Sequence, residues 1–334
     1  MPQAIIVASR NGAPALPEAM RILRKGGSAL DAVEAAARII EADPNDTSVG
    51  RGGWPNIVGT VEVDASIMDG TTREAGSVGA VRGYLYPISI ARAVMERLPH
   101  VMLVGDGATR FAAEIGAQKA PLLTARTRGL WVDFLKRARE TPVSVRRRTA
   151  LAPLVRRTVR LNRTGTVNFI ALDRKGRIAS AVSTSGWGYK YPGRLGDSPI
   201  IGAGNYCDGR YGGATCTGFG ELAMRALTAK TAVDRLAAGA SPAVAARRAI
   251  AEANELDRPS LRPSQGDPRS SPRDPRPSRE DPAPMNVVVL ARDGTYASAT
   301  NHAGREFAVM TADMDVPLIR RRAVVTAKGA RGGR

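Results

Sequence analysis

Histidine is nearly absent from this chain, whose 334 residues include only His100 and His302. A serine or cysteine nucleophile worked by an imidazole needs one of these as its base, and neither stands in a Gly-x-Ser-x-Gly element or a comparable nucleophile context. Triad chemistry is therefore disfavoured, and His100, in LPHVMLVG, reads as a helix-end or core residue. Cysteine is as scarce: Cys207 and Cys216 cannot make a disulfide framework, and with two histidines elsewhere they make a poor zinc set. No run approaches about 18 uninterrupted apolar residues, so no membrane span is indicated. The opening MPQAIIVASRNG has a short apolar run and no basic leader; it suits a first strand better than a signal peptide, and a cytoplasmic protein is expected. Acidic residues are in deficit, 31 against 49 Lys and Arg, for a formal net charge of +18. Such a surplus suggests nucleic acid or an anionic surface. Its distribution argues otherwise, because it gathers in residues 126–163, with Arg146-Arg147-Arg148 and Arg156-Arg157, and in a tail over 320–334. Both read as flexible segments outside the core, nearly without aromatic residues for base stacking. A basic nucleic-acid-binding protein stays open as a reading of another class.

Residues 4–8 read as a strand and 16–25 as a helix. Ser28 opens a stronger helix, SALDAVEAAARIIEAD, with Ser28 and Asp31 at capping-box spacing. Residues 60–67 alternate as a strand, 87–98 form an amphipathic helix, 101–104 a short strand and 108–114 another helix. Gly105-Asp106-Gly107 lacks the third glycine and the lysine of a phosphate loop and reads as a strand-to-helix turn. Residues 119–164 carry few strand signals and many arginines. Residues 221–238 and 242–255 read as two helices. The eight prolines of residues 257–284, mixed with Ser, Arg and Asp, mark a disordered surface insertion. A hairpin is expected over 285–291 and 295–300. Two strand-rich blocks flanked by helices imply an α/β fold with two sheets and helices outside.

The densest run of hydroxyls, glycines and paired charges lies between Gly165 and Arg225. Residues 166–173 (TVNFIALD) and 177–184 (RIASAVST) are apolar, β-prone runs across the turn Asp173-Arg174-Lys175-Gly176, which makes a hairpin. Thr166 should then face Thr184 or its neighbour Ser183, within about 5 Å across the ladder.

The elements GTV at Gly165, STSG at Ser183, PGRLGDSPIIGAG at Pro192 and CTGFGE at Cys216, in this order and spacing, resemble the N-terminal nucleophile hydrolases of the asparaginase type 2 family. That family includes glycosylasparaginases, plant-type asparaginases and isoaspartyl peptidases. SALDAVEAA from Ser28 and SVGRGGWPNIVGTVEVDASIMDGTTREAGSVGAV from Ser48 resemble its amino-terminal half. The likeness covers most of residues 1–118 and 165–250. It implies a four-layer αββα sandwich and self-cleavage between Gly165 and Thr166, giving an α chain (1–165) with a variable linker at about 119–164 and a β chain (166–334). Thr166 would be the nucleophile, with its freed α-amino group, of pKa about 8, as its base. That resolves the shortage of histidine, and Gly165 leaves the scissile carbonyl uncrowded.

By the same resemblance Thr184 supports the nucleophile, and Thr217 with the N–H of Gly218 stabilises the oxyanion. Arg194 and Asp197 hold the substrate's α-carboxylate and α-amino group, and Gly220 lets the backbone approach the substrate. Without the resemblance, an Arg and an Asp three residues apart are more often a structural ion pair. Three departures stand out: Gly165 where many relatives carry Asp, Asn56 (in a loop with Gly59) where glycosylasparaginases carry Asp, and Ser9-Arg10-Asn11 near their Trp-Pro-Phe element. The resemblance implies an amidohydrolase of asparagine or β-aspartyl dipeptides, with N4-(β-N-acetylglucosaminyl)-L-asparaginase as the alternative. No cofactor or catalytic metal is needed. Some relatives hold a structural sodium through backbone carbonyls, and members assemble as homo-oligomers of cleaved αβ units.

Overall fold

Neighbouring residues of the apolar runs face opposite ways, and here both faces find cover. The computed structural model describes residues 3–158, 165–257 and 282–326. In chain order its elements are β1 (Ile5–Ser9), α1 (Leu16–Arg24), α2 (Ala29–Ala42), β2 (Val63–Asp69), β3 (Ala75–Val81), α3 (Pro87–Arg97), β4 (Met102–Val104), α4 (Gly105–Glu114), α5 (Ala125–Arg137), α6 (Pro142–Arg147) and α7 (Ala152–Thr158). There follow β5 (Val167–Leu172), β6 (Ile178–Thr184), β7 (Asn205–Asp208), β8 (Gly212–Gly218), α8 (Gly220–Ala226), α9 (Thr228–Ala237), α10 (Pro242–Glu255), β9 (Met285–Ala291), β10 (Tyr296–Thr300), β11 (Glu306–Thr311), β12 (Leu318–Arg321) and β13 (Ala323–Val324).

Eight strands form one sheet in the order β12-β11-β1-β5-β6-β2-β3-β4, and five form a second, β13-β10-β9-β8-β7. The period of two explains the layering. Ile5, Val7, Ile170, Leu172 and Ile178 point from the large sheet to Cys207, Val288 and Leu290 of the small one. Their chain neighbours Ile6, Ala8, Phe169 and Ala171 point the other way, onto Leu16, Met20, Val33 and Ala36 of α1 and α2. The far face of the small sheet, with Ala214, Cys216, Val287 and Val289, packs on Ala229, Val233, Ala249 and Ile250 of α9 and α10. The result is the expected αββα sandwich.

The hairpin between β5 and β6 turns where Asp173 Oδ1 accepts from the N–H groups of Lys175 and Arg177, with Gly176 at φ +76°. Ser28 caps α2 by accepting from Asp31 N. The strand expected over 60–67 starts later, at Val63. The helix expected over 221–238 is two helices: Leu227 is left-handed (φ 47°), so that the first amides of α9, on Ala229 and Lys230, reach the carbonyls of Ala203 and Gly202. His100 lies exposed beyond the end of α3, so it is a helix-end and not a core residue.

Two flexible-segment expectations are corrected. Residues 125–158 fold into α5–α7, where Trp131, Phe134, Leu135, Val145 and Leu154 are buried with Ile57 and Tyr189. Trp131, Phe134 and Leu135 stand at the i, i+3, i+4 spacing of a core-facing helix; the surrounding arginines obscured it. Trp131 Nε1 donates to Ile57 O at 3.0 Å, and Phe134 stacks on Tyr189 at 3.8 Å. The start of the basic tail is also built in. β12 pairs with β11, β13 pairs with β10, and Arg322 is buried, donating to the carbonyls of Glu306 and Val287 and to Ser298 Oγ. Cutting the chain before Arg322 therefore strips ladder and core, so the tail is no free appendage there. The rest of the linker (159–164), most of the proline-rich insertion (258–281) and the last tail residues (327–334) lie outside the described residues. Among the described residues no helix is long and apolar enough to cross a membrane.

Candidate active site

Strand pairing places the hydroxyls. Val167 lies opposite Ser183 in the β5–β6 ladder, so Thr166, one residue earlier, comes opposite Thr184. Of the two partners left open by the sequence, Thr184 is the one in contact. Thr166 Oγ1 donates to Thr184 Oγ1 at 3.3 Å, and Thr184 Oγ1 donates its own proton to the carbonyl of Gly165 at 2.6 Å. Gly186 N–H donates to Thr184 Oγ1 at 2.8 Å and holds it in place. The Thr166 hydroxyl, the Thr184 hydroxyl and the Gly165 carbonyl thus form one hydrogen-bonded chain. Thr184 is buried, whereas Thr166 is half-buried.

The backbone before Thr166 has no room for a side chain. A Cβ on Gly165 would stand 2.0 Å from Ser48 Cβ, so the aspartate that many relatives carry there has no place in this arrangement. Ser48 in turn accepts from Asn11 Nδ2 at 3.1 Å and donates to Asp46. The Ser9-Arg10-Asn11 segment is thereby tied to Ser48, which packs beside Gly165. Asp46 and Ser48 carried no signal of a site role in the sequence reading.

Thr166, Thr184, Gly186, Trp187, Arg194 and Asp197 line one small pocket, together with Gly218. Asn168, two residues after Thr166 on β5, donates to Cys216 O at 3.4 Å and so ties β5 to β8, the strand of Thr217 and Gly218. Gly218 has φ +118°, and a Cβ there would stand 2.1 Å from Pro284 O, so only glycine allows this bend.

Arg194 and Asp197 do not pair with one another by any close contact. Arg194 is gripped by Glu221, Nε and Nη2 donating to the carboxylate at 2.8–3.0 Å, and its guanidinium lies 4.3 Å over the Trp187 ring. Trp187 stacks on Phe219 at 5.0 Å. The remaining Nη1 lies against Gly186 and Gly196, where a Cβ would stand 3.1 and 3.2 Å away. Glu221 was legible as the last letter of CTGFGE, but nothing in the sequence named its partner.

Asp197 is buried, its Oδ2 has no hydrogen-bond partner among the described residues, and burial pushes its carboxyl up to about 7. Gly220 is explained by it, since a Cβ there would meet Asp197 Oδ1 at 2.8 Å. Beneath Gly186 sits an ion pair that sequence reading missed. Lys190 Nζ lies 3.7 Å from Asp64 Oδ2, both side chains fully buried, and Nζ also donates to Glu62 O at 3.2 Å. Burial works against both charges, raising the Asp64 carboxyl and lowering the Lys190 ammonium.

Asn56 and Gly59 are placed differently. Asn56 Oδ1 accepts from Val58 N and Thr60 N inside its own turn, and Gly59, at φ +88°, lies under Trp131. They shape the seat of α5 instead of lining the pocket. On this loop the carbonyls of Asn56, Ile57 and Val58 accept from Gly59 N, Trp131 Nε1 and Arg146 Nε. Among the described residues no group of three or more His, Cys, Asp or Glu could hold a metal ion.

Comparison with known proteins shows the family. A family model described as asparaginase matches residues 6–259. The N(4)-(beta-N-acetylglucosaminyl)-L-asparaginase of Elizabethkingia miricola is 43% identical over 233 residues, covering 70% of this chain and 64% of the relative. The isoaspartyl peptidase/L-asparaginase of Mus musculus is 39% identical over 241 residues, 71% of this chain and 69% of its own. The plant-type L-asparaginase of Pyrococcus furiosus is 40% identical over 226 residues, 68% and 72%. With this match laid over an αββα sandwich, the chain belongs to this asparaginase family of amide hydrolases.

Proposed function

We propose that the protein is a self-processing threonine amidohydrolase that cleaves the side-chain amide of asparagine or of β-aspartyl (isoaspartyl) dipeptides. The observation that carries this is the hydrogen-bonded chain from Thr166 Oγ1 through Thr184 Oγ1 to the Gly165 carbonyl. Thr184 polarises the carbonyl that Thr166 must attack. Attack forms an Oγ1–C bond, the C–N bond to Thr166 breaks, and the nitrogen takes the hydroxyl proton; water then hydrolyses the ester, leaving a Gly165 carboxylate and a free Thr166 amine. That amine serves as base for the second reaction. Arg194 receives the substrate's α-carboxylate and Asp197 its α-ammonium, while the Thr217 hydroxyl and the Gly218 N–H stabilise the oxyanion. The amine or ammonia leaves, and water releases aspartate from Thr166. This chemistry calls for no cofactor, and the working form is a homo-oligomer of cleaved units.

The relative named for N(4)-(beta-N-acetylglucosaminyl)-L-asparagine supports a second reading. Asn56 lies outside the pocket, so of the departures from the glycosylasparaginase pattern only Ser9-Arg10-Asn11, whose Asn11 reaches Ser48 beside Gly165, favours the small leaving groups. The test is kcat/KM of cut protein on asparagine, a β-aspartyl dipeptide and N4-glycosyl-asparagine at one pH, with one of the first two expected to lead. A glycosyl-asparagine value more than about tenfold above the others, about 1.4 kcal/mol of transition-state preference, installs the second reading.

Asp197 also sets a pH dependence. With its carboxyl at about 7 in the empty site, it is ionised above that pH and can hold an ammonium. Protonation as pH falls removes the charge, so kcat/KM falls on the acid side with an apparent pKa of about 7. The Thr166 amine, of pKa about 8, sets an acid limb of its own, so well below pH 7 log kcat/KM of the parent should fall with a slope of two and that of Asp197→Asn with a slope of one; a slope of two in the variant assigns the second proton elsewhere.

A further inference from the structure

Thr217 and Asn286 face each other directly across the β8–β9 ladder. Asn286 Nδ2 donates to Thr217 Oγ1 at 3.1 Å and lies 3.4 Å from the Thr217 carbonyl oxygen. Its Oδ1 is buried and has no hydrogen-bond partner among the described residues. An amide could in principle be turned over, exchanging its oxygen and nitrogen. Here the neighbour forbids it, because the turned amide would aim one carbonyl oxygen at another, which has lone pairs only. The nitrogen must face Thr217, even though this leaves the amide oxygen idle.

The consequence falls on one proton. A threonine hydroxyl has a single hydrogen, and one held as an acceptor by Asn286 Nδ2 keeps that hydrogen free to point elsewhere. We infer that Asn286 is a positioning residue of the oxyanion site: by donating to Thr217 Oγ1 it turns the Thr217 proton away from β9 and toward the developing oxyanion. This rests on the assignment of Thr217 as an oxyanion donor made above. An asparagine is required for the task. An aspartate would accept the Thr217 proton, and an apolar residue would leave the hydroxyl free to rotate.

A double-mutant cycle on the cut protein, with kcat and KM measured on asparagine and the cut confirmed by mass, tests this. Thr217→Val should lower kcat by about a hundredfold, the size expected for one oxyanion donor. Asn286→Ala should lower kcat by about tenfold, as for one lost hydrogen bond, with KM within about twofold. In the Thr217→Val background the same Asn286→Ala change should alter kcat by less than about twofold, since there is no proton left to orient. A tenfold loss in both backgrounds overturns the inference and leaves Asn286 a structural residue. Full kcat in Thr217→Val instead removes the oxyanion assignment itself, a separable failure.

Should Asn286→Ala not fold or not be cut, Asn286→Asp carries the test on a nearly isosteric side chain. Its kcat relative to the parent should be lowest at high pH, where the carboxylate takes the Thr217 proton, and should recover as falling pH protonates the carboxyl. A kcat ratio flat with pH overturns the inference.

Discussion

Thr166→Ala protein is expected to stay a single uncut chain and to show no hydrolysis of asparagine or β-aspartyl dipeptide above background. Both outcomes follow from one hydroxyl. Without Oγ1 nothing attacks the Gly165 carbonyl, although Thr184 still donates to it. No acyl group can then form on the missing oxygen, so the expected loss of turnover is on the order of 10⁴-fold or more. Thr166→Ser keeps the hydroxyl, loses the methyl group that fixes its rotamer, and retains part of each activity. Intact mass of fresh protein followed over days reads the cut, and aspartate release reads the turnover. A parent chain that never splits yet hydrolyses substrate would remove the free-amine mechanism.

Lys190→Met is expected to lower stability by about 3 kcal/mol at neutral pH, because it leaves the Asp64 carboxyl buried without its cation. The Glu62 carbonyl loses its donor as well. The sign of the pH dependence separates this from simple loss of packing. In the variant, Asp64 stays protonated in the folded chain well above the pH at which it ionises in the unfolded one. The folded state then binds the extra proton, and stability falls as pH rises, by up to about 1.4 kcal/mol per pH unit. Urea midpoints at pH 5 and pH 8 should therefore diverge more for the variant than for the parent. Equal shifts at both would mean that Asp64 feels no lost charge.

The hairpin that sets Thr166 opposite Thr184 could be read from the sequence because its signals are local: β-branched runs of matched length, a turn closed by Gly176, and hydroxyls at the free end; the nucleophile role of Thr166 came from the family resemblance alone. Arg194, Asp197, Thr217 and Gly218 were found only as motif letters, and their geometry depends on loops from distant parts of the chain. Glu221 gripping Arg194, Lys190 opposing Asp64 and Ser48 filling the space beside Gly165 are contacts between residues 27 to 126 positions apart, for which a single sequence holds no pairing signal. The basic linker failed for a different reason. Its charges were counted as a block, whereas burial is decided one helix face at a time, by Trp131, Phe134 and Leu135.

The strand order has a consequence for how a cut molecule can form at all. In the large sheet, β11 and β12 come from after Thr166, β1 from before it, β5 and β6 from after, and β2, β3 and β4 from before. The two pieces interleave, and three ladders, β11–β1, β1–β5 and β6–β2, cross from one to the other. An intact chain finds these pairings at a rate independent of its concentration. Once severed, the same pairings need an encounter of two molecules, and their recovery from denaturant becomes second order. Parent protein should then refold poorly on dilution, while Thr166→Ala refolds with first-order kinetics. With the proposed cut between Gly165 and Thr166, the fold is reached as one molecule and kept as two.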